Sequence, residues 1–100
     1  MGDAELYTTS ICAHELLAGR KSQKQLFIIQ ELLKQMIVLS HDSESATLSA
    51  MISRTLEEKG AMISSFDILI AAICMRHNST LITFDQDFAR VSGLKKVLLK

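Results

Sequence analysis

Short apolar runs alternate with helical patterns along this chain, and the alternation limits the folds that it can adopt. Residues that favour strands are concentrated at 6–12, 80–83 and 96–99, and a further such run ends the stretch 36–39. Between these runs, apolar residues recur at helical spacing. Because parallel strands need a crossover connection, which helices supply, the pattern predicts an α/β fold with a parallel sheet.

Residues suited to helix caps precede two of the helical segments. Ser22 with Gln25 three positions later forms a capping box and opens one helix. Asp42 or Ser43 opens the next, which ends near Gly60. The apolar face that this helix is predicted to bury consists of Leu48, Met51, Ile52 and Leu56.

A later helix is expected to lie deep in the core. It opens at Ser64 or Ser65 and is apolar almost all round from Phe66 to Met75, with Asn78 as its C-cap. A brief helical turn is predicted at 85–91. No linker, repeat or low-complexity stretch divides residues 1–100, so the sequence predicts a single domain.

Charge and cysteine content exclude several classes of protein. Eleven basic residues balance eleven acidic ones, so any contact with RNA has to be local. Cys12 and Cys74 stand apart, without the spacing of a disulfide framework or a zinc site, which favours reduced thiols in the cytoplasm. The start has no signal-peptide pattern, and no apolar stretch is long enough to span a membrane.

Four carboxylates stand where an α/β sheet places its ligand sites, beyond the carboxyl ends of strands. Glu15 follows the first strand, Asp67 lies in the first turn of the buried helix, and Asp85 and Asp87 follow the strand 80–83. Mg²⁺ and Mn²⁺ prefer such oxygen ligands, and a metal held by them can hydrolyse phosphodiester bonds. These residues are therefore candidate metal ligands.

Each carboxylate also has a purely structural interpretation. The spacing from Ser64 to Asp67 matches a capping box, and an acid in a first helical turn is favoured by the helix dipole. Asp85 and Asp87 suit a solvated turn with an N-cap, and Glu15 suits an exposed helix surface. The residues alone leave both interpretations open.

Two runs near the C-terminus carry a resemblance to a known family. They are Ile63 to Ala72, which reads ISSFDILIAA, and His77 to Phe88, which reads HNSTLITFDQDF. Together with Gly93-Leu94 and the earlier Glu15-Leu16-Leu17-Ala18-Gly19, they resemble PIN-domain ribonucleases of the VapC toxin type. The resemblance extends over about positions 6 to 99.

The resemblance implies a fold, a site and partners. It implies a three-layer fold, with a parallel sheet flanked by helices. It matches Glu15 to the family's second acid, Asp67 to its third and Asp85 to its fourth. Asp87 is an assisting neighbour of these acids, and Thr83 is the hydroxyl residue beside the site. The implied activity is Mg²⁺- or Mn²⁺-dependent hydrolysis of RNA. An antitoxin protein and a second copy of the chain are the implied partners.

One part of the family pattern has no counterpart upstream of Leu6. The family's first acid ends a central first strand, whereas Asp3 lies in a charged start without an apolar run before it. The resemblance thus predicts that this strand and its acid are missing, which would weaken activity. The alternative is a catalytically dead PIN-like module that binds a protein partner or RNA.

Overall fold

The computed structural model describes residues 6–100, which form two compact units that meet in sequence between Ser40 and His41. Asp3 lies outside the described residues. The single domain that the sequence predicts stays a prediction. In chain order the elements are β1 (Tyr7–Thr9), α1 (Ser10–Leu17), α2 (Gln23–Lys34), β2 (Ile37–Leu39), α3 (Ser43–Glu58), α4 (Ser65–Arg76), β3 (Leu81–Thr83), the 3-10 helix η1 (Gln86–Arg90) and β4 (Lys96–Leu98).

The first unit begins with a strand that is shorter than the sequence predicts. The stretch 6–12 was expected to be one strand, but β1 ends at Thr9 and the helix α1 begins at once. Thr9 is the cause, because its side-chain oxygen accepts a hydrogen bond from the backbone N–H of Cys12 at 3.0 Å. That bond satisfies a donor of the first turn and fixes the start of the helix.

The rest of this unit follows local rules. Ser22 and Gln25 form the predicted capping box at the start of α2, with bonds of 3.1 and 2.9 Å. β1 and β2 pair in parallel, with Thr8 opposite Val38. Apolar side chains of this unit remain exposed, including Phe27 and Ile28 of α2, and Thr9 is its only buried residue among those described.

The second unit contains the hydrophobic core, built where α3 packs against α4. Residues 70–74 of α4 are all buried, as the apolar run predicts. On α3 the buried residues are Ser45, Ser49, Ile52 and Leu56, whereas Met51, which was expected to be buried, is 50% exposed. The buried face of α3, the helix that packs against α4, thus includes two serines in place of Met51.

The end of α4 is a compact turn that leads into the second parallel pair. His77 is the C-cap, and Asn78, predicted for that place, follows it in the left-handed region at a φ of 55°. The N–H of Ser79 donates to the carbonyl of Cys74 at 2.8 Å and closes the turn. β3 and β4 then pair in parallel, with Ile82 opposite Val97.

An ion-pair cluster joins the start of α3 to the end of α4. Asp42 is the N-cap of α3 and accepts a hydrogen bond from the N–H of Ser45 at 2.8 Å. Arg76 Nε lies 3.4 Å from a carboxylate oxygen of Asp42 and 3.1 Å from one of Glu44. The Ser45 N–H, aided by the charge of Arg76, holds the pKa of Asp42 below its ordinary value of 3.8.

Two substitutions of Asp42 should distinguish the stability that comes from its N-cap hydrogen bond from the stability that comes from its negative charge. Asp42→Ala removes both and should lower the melting temperature by about 4–8 °C, the usual effect of losing an N-cap in a domain of this size. Asp42→Asn keeps a side-chain oxygen that can accept the N-cap hydrogen bond, so it should lower the melting temperature less. The lowered pKa favours the folded state only while Asp42 is ionised. The melting temperature of wild type should therefore exceed that of Asp42→Asn above about pH 4, and the difference should disappear below that pH. Thermal melts at several pH values test this, and a constant difference down to pH 2 would contradict it.

Candidate metal centre

Three carboxylates of the second unit converge. Asp67, Asp85 and Asp87 each place one ligand oxygen so that all three oxygens lie within 4.8 Å of one another. Asp67 is partly buried, and the other two side chains are exposed to solvent. Within residues 6–100, no second group of three or more His, Cys, Asp or Glu side chains converges in this way. These three residues are called the carboxylate cluster below.

Asp67 is placed by the cap of the buried helix α4. The hydroxyl oxygen of Ser64 accepts a hydrogen bond from the backbone N–H of Asp67 at 3.2 Å. Asp67 therefore stands in the first helical turn, while Ile68 and Ile70 beyond it anchor the helix in the core. The structural interpretation of the Ser64 spacing and the functional one are compatible, since the cap uses the backbone of Asp67.

Asp85 and Asp87 are placed by a turn at the carboxyl end of β3. A side-chain oxygen of Asp85 caps η1 by accepting from the N–H of Asp87 at 2.9 Å. The hydroxyl oxygen of Thr83 accepts from the N–H of Asp85 at 3.1 Å. The capping bond brings Asp87 beside Asp85, and Thr83 fixes the backbone from which both extend.

Further contacts hold η1 in place. Phe88 is buried and anchors the short helix in the core. The side-chain amide of Gln86 donates to the carbonyl of Leu99 at 3.1 Å, which ties the turn to the end of β4. The ammonium of Lys96 donates to the carbonyls of Val91 and Leu94, at 2.9 and 3.4 Å, and closes the loop that follows η1. The acids are thus carried on a braced turn.

The donor set fits a hard divalent cation. Three carboxylates at this separation repel one another, and a bound cation of charge two would offset that repulsion. Mg²⁺ and Mn²⁺ select oxygen ligands and are commonly held by a few carboxylates while keeping several waters. The cluster offers oxygens only, and two exposed members leave room for water and substrate.

The sequence match decides the family. The PIN domain family model matches residues 1–94 of the chain. The chain belongs to the PIN domain family. The resemblance inferred from its sequence motifs is therefore confirmed. No significant match was found among curated proteins.

Solved structures show the same PIN-like fold. VapBC-1 from nontypeable Haemophilus influenzae matches with a TM-score of 0.87 and 21% identity, over 98% of this chain and 77% of that chain. VapBC2 from Rickettsia felis, bound to a promoter DNA fragment, matches with a TM-score of 0.84 and 20% identity. The match covers 96% of this chain and 76% of that chain. VapBC-5 from Mycobacterium tuberculosis matches with a TM-score of 0.81 and 26% identity, over 93% of this chain and 81% of that chain. The predicted α/β class with parallel strands is confirmed.

Glu15 is the predicted PIN site residue that the cluster does not include. It lies exposed on α1, in the compact unit that ends at Ser40, whereas the cluster belongs to the other unit. Its match to a family acid stays a prediction. The predicted loss of a first strand and its acid concerns positions before Leu6, which the described residues do not cover.

One candidate ligand of this PIN domain is given only an assisting role by the resemblance. Asp87 is that residue, its carboxylate lies in the cluster, and its role stays a prediction. The signal was present in the spacing, because an Asp that caps a turn brings the residue two positions later within hydrogen-bond reach. The bracing by Gln86 has no comparable sequence signal, since its partner, the backbone carbonyl of Leu99, is distant in sequence.

Proposed function

We propose that this PIN domain is a metal-dependent endoribonuclease of the VapC toxin type, which hydrolyses RNA phosphodiester bonds. The observation that carries the proposal is the carboxylate cluster, with Asp67, Asp85 and Asp87 within 4.8 Å of one another in a chain of the PIN family. The cofactor proposed for it is Mg²⁺ or Mn²⁺. Glu15 is proposed as a further ligand on the strength of its motif alone.

The chemistry assigns each residue a role. A divalent cation held by Asp67, Asp85 and Asp87 would polarise a phosphoryl oxygen and make water a better nucleophile, so no nucleophilic side chain is needed. Thr83 acts as a positioning residue, because its hydroxyl oxygen fixes the N–H of Asp85. Gln86 and Lys96 keep the turn that carries two of the acids from moving away.

The proposal includes partners and a compartment. The solved structures of similar fold are VapBC toxin-antitoxin proteins, which supports an antitoxin partner for this chain. A homo-oligomer and a cytoplasmic location, with reduced Cys12 and Cys74, complete the proposal. No helix within residues 6–100 is long and apolar enough to cross a membrane.

Metal removal provides the first test. The purified chain should cleave a mixed-sequence single-stranded RNA in the presence of Mn²⁺, lose that cleavage in EDTA and regain it when Mn²⁺ is added in excess. Denaturing gels of end-labelled RNA measure the products. Cleavage that persists in EDTA would contradict the proposal, and RNA binding without cleavage at any Mn²⁺ concentration would instead identify a non-catalytic binding module.

A further inference from the structure

The 3-10 helix η1 presents a different kind of side chain on each of its faces. A 3-10 helix has about three residues per turn, so side chains three positions apart lie one above the other. Asp87 and Arg90 of η1 therefore share one face. Phe88 lies on a second face and is buried, and Gln86 on the third donates to the carbonyl of Leu99. One member of the carboxylate cluster thus shares its face of η1 with an arginine.

Arg90 reaches from this face to the segment that leads into α4. Its guanidinium donates a hydrogen bond to the backbone carbonyl of Met62 at 3.0 Å, between residues 28 positions apart in the sequence. Met62 shortly precedes Ser64, the N-cap of α4, and Asp67 lies in the first turn of that helix. The bond therefore joins the segment that carries Asp87 to the segment that carries Asp67.

This bond bears on the metal site because the carboxylate cluster is divided between the same two segments. Asp67 belongs to the start of α4, whereas Asp85 and Asp87 belong to the turn at η1. Without a cation the three carboxylates repel one another, and that repulsion favours separation of the two segments. A hydrogen bond from an ionised donor is stronger than one between neutral groups, so the bond made by Arg90 opposes the separation.

We propose that Arg90 is a positioning residue of the metal site, which holds the two parts of the carboxylate cluster at the separation that a divalent cation needs. The inference rests on the proposed metal-dependent function and adds to it a residue outside the cluster. A guanidinium offers donors and no acceptor, so Arg90 itself does not coordinate a metal. Gln86 and Lys96 link the same turn to β4, whereas Arg90 links it to the entry of α4.

The charge of Arg90 and its hydrogen bond have opposite effects on metal binding. A cation on the same face as Asp87 repels a metal ion, so its removal strengthens metal binding if only charge matters. Loss of the bond to Met62 weakens metal binding if position matters, because the acids are then free to separate. The sign of the change in Mn²⁺ affinity therefore distinguishes the two effects.

Calorimetric titration of the full chain with Mn²⁺, well below the melting temperature of each variant, tests the proposal. Arg90→Leu removes the donor and should raise the Kd for Mn²⁺ about tenfold, as loss of a partner that supports a metal ligand does. Arg90→Lys keeps a charged donor and should give an intermediate Kd. Arg54→Leu is the matched control, since Arg54 is an exposed arginine of α3, and its Kd should equal that of wild type.

The outcomes separate this inference from the proposed function. A Kd for Arg90→Leu at or below the wild-type value would overturn the inference, and so would an equal rise in Arg54→Leu. A lower melting temperature in EDTA with an unchanged Kd would give Arg90 a merely structural role and would overturn it as well. If Arg90→Leu binds Mn²⁺ and cleaves RNA as wild type does, the positioning role fails while the ribonuclease stands. If Arg90→Leu weakens Mn²⁺ binding but wild type never cleaves RNA, the ribonuclease fails while the positioning role stands.

Discussion

Asp85→Asn should abolish Mn²⁺ binding at the carboxylate cluster and lower RNA cleavage by roughly 100-fold or more, since weakening even a supporting partner of a metal ligand costs up to that factor. Asparagine is as good an N-cap as aspartate, so the bond from the N–H of Asp87 and the start of η1 should persist. The substitution therefore removes a charge while keeping the turn. Calorimetric titration with Mn²⁺ and gel-based cleavage measure the two effects.

Two further variants complete this test. Glu57→Gln removes one negative charge from an exposed position of α3 and should leave both readouts at the wild-type level. Glu15→Gln should behave like Asp85→Asn if the family match of Glu15 is correct, and like Glu57→Gln if Glu15 is only a surface residue. Wild-type Mn²⁺ affinity in Asp85→Asn would rule out the cluster as the metal site.

Ile73→Ala should reduce the free energy of unfolding by about 2–5 kcal/mol, because it removes buried methyl groups and leaves a cavity. Ile73 is fully buried on α4, within the core of the second unit. That loss is a large part of the total stability of a small domain. The matched substitution Ile82→Ala removes the same atoms from a largely exposed side chain and should cost less than about 0.5 kcal/mol.

Urea denaturation followed by circular dichroism measures both isoleucine variants. The midpoint should fall strongly for Ile73→Ala and barely for Ile82→Ala, with similar slopes if unfolding stays two-state. Equal shifts in the two variants would mean that α4 does not form the core in solution.

The features predicted correctly from the sequence are those that depend on neighbouring residues. The capping box of Ser22 and Gln25 and the N-caps at Asp42 and Ser64 are contacts between residues three positions apart, so the sequence contains both partners. The buried character of α4 follows from its unbroken apolar composition. Such local rules need no knowledge of the rest of the fold.

The features predicted wrongly depend on choices that the sequence leaves open. Thr9 favours a strand by propensity but also caps a helix, and the cap ends β1 early. The buried face of α3, which packs against α4, includes Ser45 and Ser49, which hydropathy alone places outside. Met51, which hydropathy places inside, is exposed.

The candidate site could be predicted from the sequence only in part. The rule that ligands gather beyond the carboxyl ends of strands, together with the family motif, singled out four carboxylates: Glu15, Asp67, Asp85 and Asp87. Which of them converge, and at what distance, needed coordinates.

The carboxylate cluster draws all its members from one short stretch of chain, from the start of α4 to the first turn of η1. The entropy lost in bringing the ends of such a short loop together is small, and it grows only with the logarithm of loop length. Contacts of low sequence separation also form early in folding. The acids can therefore be gathered as soon as α4 and the β3 turn dock, so an emerging chain would assemble its candidate metal site at the same stage as its core.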